Sequence, residues 1–126
     1  MGDTLLIIDN DESVRQLLAA YFTEKGYEVL TAVDGLDGVN QALRHRPDVI
    51  ICDIIMPQMH GFEVLETLHG HRDLGEPIIV VVSAKAYKPD RDRALEMGAD
   101  AYFVKPFDLR QLYATIERTR AERRPS

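Results

Sequence analysis

Several polar side chains in this sequence directly follow apolar runs. Asp9 and Asn10 come after the run LLII, and Asp53 closes the run DVIICD. Ser83 ends the run PIIVVVS, and Lys105 ends the run AYFVK. Clustered carboxylates repel one another unless a cation lies between them. If these segments meet in the fold, carboxylates, an amide, a hydroxyl and an ammonium form one polar site.

This set of groups suits phosphoryl transfer. Oxygen ligands are those that Mg²⁺ prefers, and the ion usually binds one or two carboxylates together with a phosphate. A carboxylate can also attack phosphorus and form an acyl phosphate. A lysine and a metal ion then neutralise the phosphoryl oxygens, and a serine hydroxyl can donate a hydrogen bond to them.

Two alternating periodicities predict the elements that must position these groups. Apolar runs predict strands at 4–9, 27–32, 48–53, 77–83 and 101–105. Apolar residues at helical spacing predict helices at about 14–25, 36–44, 61–69, 89–97 and from 109 onward. Strands that alternate with helices predict a parallel sheet covered on both faces.

The composition of each strand predicts its place in the sheet. The first, third and fourth strands are nearly continuous apolar runs, which is typical of strands buried on both faces. The second strand contains Glu28 and Thr31 and the fifth is short, so both suit the edges. We therefore predict a doubly wound, flavodoxin-like (βα)5 α/β fold with strand order 2-1-3-4-5. Ligands of such sheets bind beyond the carboxyl ends of the strands, where the polar groups lie.

Length and composition limit the alternatives. The chain of 126 residues fits one domain, which we predict at 1–122, with a tail or the start of a linker at 123–126. The net charge of -6 argues against nucleic acid as a partner of this domain. The single cysteine, Cys52, excludes an internal disulfide. Because neither a secretory signal nor a membrane-spanning apolar stretch is evident, we expect a soluble, cytoplasmic protein.

A series of motifs makes the sequence resemble the receiver domains of two-component response regulators, in particular chemotaxis-regulator-like ones. The motifs are LLIIDNDESVR, DIIMPQMHGFEVL, VVVSA and GADAYFVKPFD, and they extend over nearly the whole chain. The most specific are the aspartate followed by Met-Pro and Gly, and the lysine-proline pair after an aromatic residue. The resemblance implies a phosphoacceptor signalling switch, which catalyses only its own phosphorylation and dephosphorylation and is not otherwise an enzyme.

The resemblance also implies how the acidic residues act. Asp53 matches the phosphoacceptor, which takes a phosphoryl group from a histidine kinase or a phosphotransfer protein. Asp9 and Asn10 match positions that hold Mg²⁺, together with Asp53 and the backbone carbonyl of Ile55. Mn²⁺ is an alternative to Mg²⁺.

The remaining matches concern the phosphoryl group and the switch. Lys105, Ser83 and Ala84 match residues that contact the phosphoryl group. Ser83 and Tyr102 match the switch pair, and the bond between Lys105 and Pro106 matches the family's cis peptide, which would aim the lysine inward. The implied further partners are an output domain or partner protein. A homodimer through the face formed by the fourth helix, fifth strand and fifth helix is also implied.

Asn10 is the main departure from the family pattern, which usually has a second acid there. An amide oxygen can ligate a hard cation but brings no charge, so we predict weaker Mg²⁺ binding than with an acid. The alternative is that Asp11 or Glu12 swings into the site. We favour Asp11, Glu12 or Ser13 as the cap of the first helix, where acids interact well with the helix dipole.

The fourth helix is predicted to be weakly packed. Its window, PDRDRALEM, offers few core residues beyond Ala94 and Leu95. It is either a solvated helix on the rim or a mobile element that repacks on phosphorylation.

Ile55 and Lys85 occupy positions that tune the phosphoryl lifetime in the family. Because Ile55 cannot orient an attacking water, we predict slow autodephosphorylation.

Three other functions can be weighed against this interpretation. A flavodoxin-like cofactor binder needs backbone donors for phosphate after the first strand, and an acidic DNDE loop repels phosphate. A metal-dependent phosphatase with an aspartyl intermediate usually has an acid where this chain has Ile55. A pseudo-receiver, a phosphorylation-independent interaction module, stays open because of Asn10, although Asp53, Ser83 and Lys105 argue against it.

Overall fold

The computed structural model describes residues 3–54, 61–70 and 74–123. Within these residues, strands and helices alternate along the chain. The elements are β1 (Thr4–Ile8), α1 (Glu12–Glu24), β2 (Glu28–Ala32), α2 (Gly35–His45), β3 (Val49–Asp53), α3 (Gly61–His69), β4 (Ile78–Ser83), α4 (Lys88–Glu96), β5 (Ala101–Val104) and α5 (Leu109–Arg123). The described strands form one parallel sheet in the order β2-β1-β3-β4-β5. The predicted flavodoxin-like fold is therefore confirmed.

The burial of the strands explains their order. Every residue of β3 and β4 is buried, as are the last four of β1. In contrast, β2 and β5 consist mostly of half-buried or exposed residues. An edge strand has a neighbouring strand on one side only and is less enclosed than a central strand, so it is stable with less apolar surface. The prediction that β2 and β5 form the edges is confirmed.

The sheet separates two apolar cores. Leu5 and Ile7 of β1 belong to the core beneath α1 and α5, and Leu6 and Ile8 belong to the core beneath α2 and α3. This alternation follows from the two-residue repeat of side-chain direction along a strand. Both cores come close to the carboxyl edge of the sheet, so they hold the strand ends in place.

The start of α1 is defined by its cap. The Asp11 carboxylate accepts hydrogen bonds from the backbone N–H groups of Ser13 and Val14, at 2.9 and 3.3 Å. One of the predicted capping residues is thus the cap, and the helix begins at Glu12, before its apolar stripe. At the other end the helix stops before Gly26, whose φ of 98° suits a residue without a Cβ.

Helix α4 is held by few apolar contacts, as predicted. Ala94 is its one buried residue, and Leu95, which was predicted to lie in the core, is 38% exposed. The prediction for Leu95 is wrong because the helix turns that side chain toward solvent. The guanidinium of Arg93 instead lies 4.1 Å from the ring centroid of the buried Phe62 on α3. A cation–π contact thus adds to the small apolar contact.

Helix α5 is attached more firmly at its carboxyl end. The Arg123 guanidinium donates to the backbone carbonyl of Glu76 at 2.8 Å and to the Asp100 carboxylate at 2.6 Å. Residues 124–126, most of the predicted tail, lie outside the described residues. No helix in the described part of the chain is long and apolar enough to cross a membrane.

Candidate functional site

Two buried carboxylates and a lysine meet at the carboxyl edge of the sheet. Asp9 follows β1, Asp53 ends β3, and Lys105 follows β5. The Lys105 Nζ atom lies 3.0 Å from Asp9 Oδ2 and 3.2 Å from Asp53 Oδ2. Asp9 is 0% exposed and Asp53 is 5% exposed. The ammonium therefore bridges two carboxylates that are largely shielded from water.

Lys105 is a permanent positive charge at this site. Burial by itself lowers the pKa of Lys105, but the hydrogen bond to Asp9 and the charge of Asp53 outweigh that effect. The pKa of Lys105 therefore lies above its usual range, and the side chain stays protonated at neutral pH. It compensates part of the repulsion between the two carboxylates.

Asp9 is fixed from several directions. Its Oδ1 atom accepts a hydrogen bond from the Asp11 backbone N–H at 2.8 Å, while Oδ2 accepts from Lys105. Its backbone carbonyl accepts from the Arg15 guanidinium at 2.8 Å, and its N–H donates to the Ala32 carbonyl at 3.1 Å. Such a network gives the carboxylate a single orientation. The interaction with Arg15 was not predicted, and the only signal for it was a cation six residues after an acid.

Asn10 is the exposed residue beside this network. The acids that follow it are engaged elsewhere: Asp11 caps α1, and Glu12 accepts a hydrogen bond from the Gln16 amide at 3.1 Å. Neither acid occupies the place of the missing carboxylate in this structure. The rim beside Asp9 thus offers an amide oxygen.

Ser83 and Tyr102, the predicted switch pair, are connected through Lys85. The buried Ser83 hydroxyl accepts a hydrogen bond from the Lys85 N–H at 3.1 Å. The Tyr102 hydroxyl donates to the Lys85 carbonyl at 2.8 Å. The Lys85 ammonium lies 3.9 Å from the Asp90 carboxylate in the first turn of α4. Ala84, the other predicted phosphoryl contact, is exposed beside Ser83.

Two further predicted features lie near the site. The peptide bond between Lys105 and Pro106 is cis, as predicted. Lys105 also donates its backbone N–H to the Ser83 carbonyl at 2.7 Å, which joins the ends of β4 and β5. Ile55, with its predicted ligand carbonyl, lies outside the described residues.

Gly61 brings α3 against the backbone that carries Asp53. A Cβ atom on Gly61 would lie 2.3 Å from Ile54 Cα and 2.6 Å from the Asp53 carbonyl oxygen. The Gly61 N–H donates to the Ile54 carbonyl at 2.8 Å. This contact was not predicted. Its signals in the sequence were the place of this glycine in the motif that begins at Asp53 and its position at the start of a predicted helix.

The donor atoms fit a hard cation such as Mg²⁺. Asp9 and Asp53 provide carboxylate oxygens and Asn10 an amide oxygen. No cluster of three or more histidine, cysteine, aspartate or glutamate side chains suited to a metal occurs in the described residues. A site with two carboxylates suits Mg²⁺, which keeps several waters and needs few protein ligands.

The fold and the site define a class of protein: a flavodoxin-like α/β domain with paired acids and a lysine at the carboxyl edge of its sheet. A family model described as "Response regulator receiver domain" matches residues 5–117. The chain therefore belongs to the response regulator receiver domain family, whose members serve as signalling switches in two-component systems rather than as metabolic enzymes.

Individual relatives agree with this assignment. The chain is 35% identical to the response regulator ArlR of Staphylococcus aureus over 112 residues, 89% of this chain and 50% of that protein. The chain thus spans about half the length of the curated relatives it matches. It resembles the chemotaxis protein CheY4 of Vibrio cholerae with a TM-score of 0.87 and 30% identity, over 94% of this chain and 98% of that one.

A further similar structure contains a metal ion. The receiver domain of the sensor histidine kinase PA1611 from Pseudomonas aeruginosa has a TM-score of 0.84 and 25% identity, over 94% of this chain and 97% of that one. In that structure a magnesium ion is coordinated in the active-site cleft.

Proposed function

We propose that this chain is a phosphorylation-controlled switch, in which Asp53 accepts a phosphoryl group from a histidine kinase or a phosphotransfer protein in a Mg²⁺-dependent reaction. The observation that carries the proposal is the Lys105 ammonium between the buried carboxylates of Asp9 and Asp53. A cation held against a carboxylate at the switch-point edge is what a transferred phosphoryl group requires.

The chemistry follows from the geometry of Asp53. One carboxylate oxygen forms a bond to phosphorus while the bond from phosphorus to the donor imidazole nitrogen breaks, which leaves an acyl phosphate. Lys105 Nζ, 3.2 Å from Asp53 Oδ2, is close enough to donate hydrogen bonds to the oxygens of the transferred group. The acyl phosphate carries about 1.5 to 2 negative charges where the carboxylate carried one, so a lysine that stays protonated stabilises the product.

Asp9, Asn10 and Asp53 are the residues that would hold Mg²⁺, with the Ile55 carbonyl as a proposed further ligand. When bound, the ion supplies positive charge to the phosphoryl oxygens. The magnesium ion in the PA1611 receiver domain supports this assignment. Lys105 and the ion would then share the charge of the acids, so Lys105 is free to turn from Asp9 toward the phosphoryl group.

The switch is proposed to operate through Lys85. If the Ser83 hydroxyl turns to donate to a phosphoryl oxygen, its hydrogen bond from the Lys85 N–H breaks. The loop around Lys85, which Tyr102 contacts through the Lys85 carbonyl, can then move together with the first turn of α4. The face formed by α4, β5 and α5 would then change for an output domain, a partner protein or a second copy. Shifting such an equilibrium from 1:99 to 99:1 requires about 5.5 kcal/mol of differential interaction.

A second candidate function is favoured by Asn10. An exposed, neutral amide in place of an acid weakens the attraction for Mg²⁺ and hence for phosphorylation. The domain would then be a pseudo-receiver that binds partners without phosphorylation. Which function applies depends on whether Asp53 becomes phosphorylated.

Intact-mass measurement after incubation with a small phosphodonor and Mg²⁺ tests the proposal. We expect one phosphoryl adduct, which disappears in Asp53→Ala and persists in the control Asp92→Ala, where an exposed acid of α4 is removed. The absence of an adduct in the wild type would favour the pseudo-receiver. An adduct that persists in Asp53→Ala would exclude Asp53 as the phosphoacceptor.

A further inference from the structure

Arg15 is a positive charge placed next to the proposed cation site. Its guanidinium donates to the Asp9 carbonyl at 2.8 Å, and its backbone N–H donates to the Asp11 carbonyl at 2.9 Å. The side chain is half-buried. By charge alone, an arginine at this position repels Mg²⁺ and weakens its binding. Arg15 can therefore strengthen Mg²⁺ binding only through the geometry that it gives the site.

The bonded carbonyl holds the peptide from which Asn10 extends. The Asp9 carbonyl belongs to the planar peptide that joins Asp9 to Asn10, so holding its oxygen fixes the plane from which the Asn10 side chain departs. The Asn10 side chain forms no hydrogen bond with the described part of the chain. The backbone is therefore the part of Asn10 that the described residues hold, whereas the Asp9 carboxylate has its own hydrogen bonds from Asp11 and Lys105.

Orientation matters more for an amide ligand than for a carboxylate. A carboxylate is drawn to Mg²⁺ by its charge, but an amide oxygen contributes only when it is already directed at the ion. Groups that hold metal ligands without touching the metal typically change affinity about 10- to 100-fold when they are removed.

We propose that Arg15 is a positioning residue of the cation site, which holds the peptide between Asp9 and Asn10 so that the Asn10 amide oxygen can reach the ion that Asp9 binds. This inference rests on the proposed function, because it assumes that these residues bind Mg²⁺. It assigns to Arg15 an effect on affinity opposite in sign to the effect of its charge.

The opposite signs allow a direct test on the full, unphosphorylated chain. Mg²⁺ is titrated while the ¹H–¹⁵N resonances of Asn10 and Asp53 report its dissociation constant. We expect Arg15→Met, which keeps an unbranched side chain, to raise the Kd about tenfold or more. If only charge matters, the same variant binds Mg²⁺ more tightly. The control Arg118→Met removes the same charge from an exposed position on α5 and leaves the Kd unchanged.

The outcomes separate this inference from the proposed function. An unchanged or lower Kd in Arg15→Met overturns the positioning role, whereas a wild type that binds no Mg²⁺ overturns the metal site itself. Should Arg15→Met fail to fold, Arg15→Lys decides, because it keeps the charge but lacks the planar fork of donors. A Kd raised about threefold or more in Arg15→Lys supports the proposal, and an unchanged Kd refutes it.

Discussion

Gly61→Ala tests how closely the position of Asp53 depends on the packing of α3. The new methyl group would lie 2.3 Å from Ile54 Cα and 2.6 Å from the Asp53 carbonyl oxygen, whereas ordinary contact begins at 3.4 Å. The backbone must therefore separate by about 1 Å. Since the opposing atoms belong to the main chain, no side-chain rotation can relieve the clash. The strand end that carries Asp53 or the start of α3 has to move.

The size of the effect follows from this displacement. Overpacking typically costs about 1–3 kcal/mol, and the better helix propensity of alanine offsets about 0.5–1 kcal/mol of it. We expect a net loss of about 1–2 kcal/mol in the free energy of unfolding. A displacement of about 1 Å at a reacting group costs on the order of 10²-fold in rate. Phosphorylation of Asp53 should therefore slow far more than the loss of stability explains.

Gly38→Ala provides the matched control. Its methyl group would lie 2.5 Å from Ile8 Cδ1, a clash of similar size but against a side chain. Urea unfolding measures stability, and time courses of phosphodonor labelling, followed by intact mass, measure the rate. We expect both variants to lose stability, and Gly38→Ala to keep its rate within about twofold. A folded Gly61→Ala that is labelled at the wild-type rate would refute the coupling.

Three other perturbations probe separate parts of the molecule. Asn10→Asp should lower the Mg²⁺ Kd about tenfold or more, because a unit charge about 4 Å from a divalent ion in water contributes about 2 kcal/mol. Arg93→Ala should speed amide exchange in α4 about two- to fivefold, because the cation–π contact with Phe62 contributes about 0.5–1 kcal/mol. Burial and the hydrogen bond to Glu117 raise the pKa of Tyr27. The resulting stabilisation is complete below the unfolded-state pKa and is lost at higher pH, so the free energy of unfolding should fall above about pH 10, less so in Tyr27→Phe.

Each of these has a comparison that could contradict it. Equal Mg²⁺ affinities of the wild type and Asn10→Asp would remove the charge argument. Arg91→Ala, at an exposed position of the same helix, should leave amide exchange in α4 nearly unchanged, and an equal effect of both arginines would exclude the ring contact as the cause. Tyr87→Phe, which removes a phenol hydroxyl from a residue 63% exposed, is the comparison for Tyr27→Phe, and an equal effect of both variants would contradict the role of Tyr27.

The fold could be predicted from the sequence because its signals are local. Runs such as VIIC and IIVVV are typical of central strands buried on both faces, and Glu28 and Thr31 favour an edge position for β2. The right-handed connection of parallel strands then leaves few topologies. The prediction that Leu95 lies in the core was wrong because the local signal is weak there. A short helix with a weak apolar stripe does not define which of its sides faces the core.

The residues of the candidate site could also be named in advance, because the strands of a parallel sheet present their carboxyl ends at one edge. Sequence alone determined that Asp9, Asp53 and Lys105 belong to that edge. Only the tertiary structure decided how they interact, with the lysine shared between both acids, Arg15 on the Asp9 carbonyl and Gly61 against the backbone after Asp53. The physical reason is that period and polarity are properties of one segment, whereas a hydrogen bond or a close approach requires the relative placement of two.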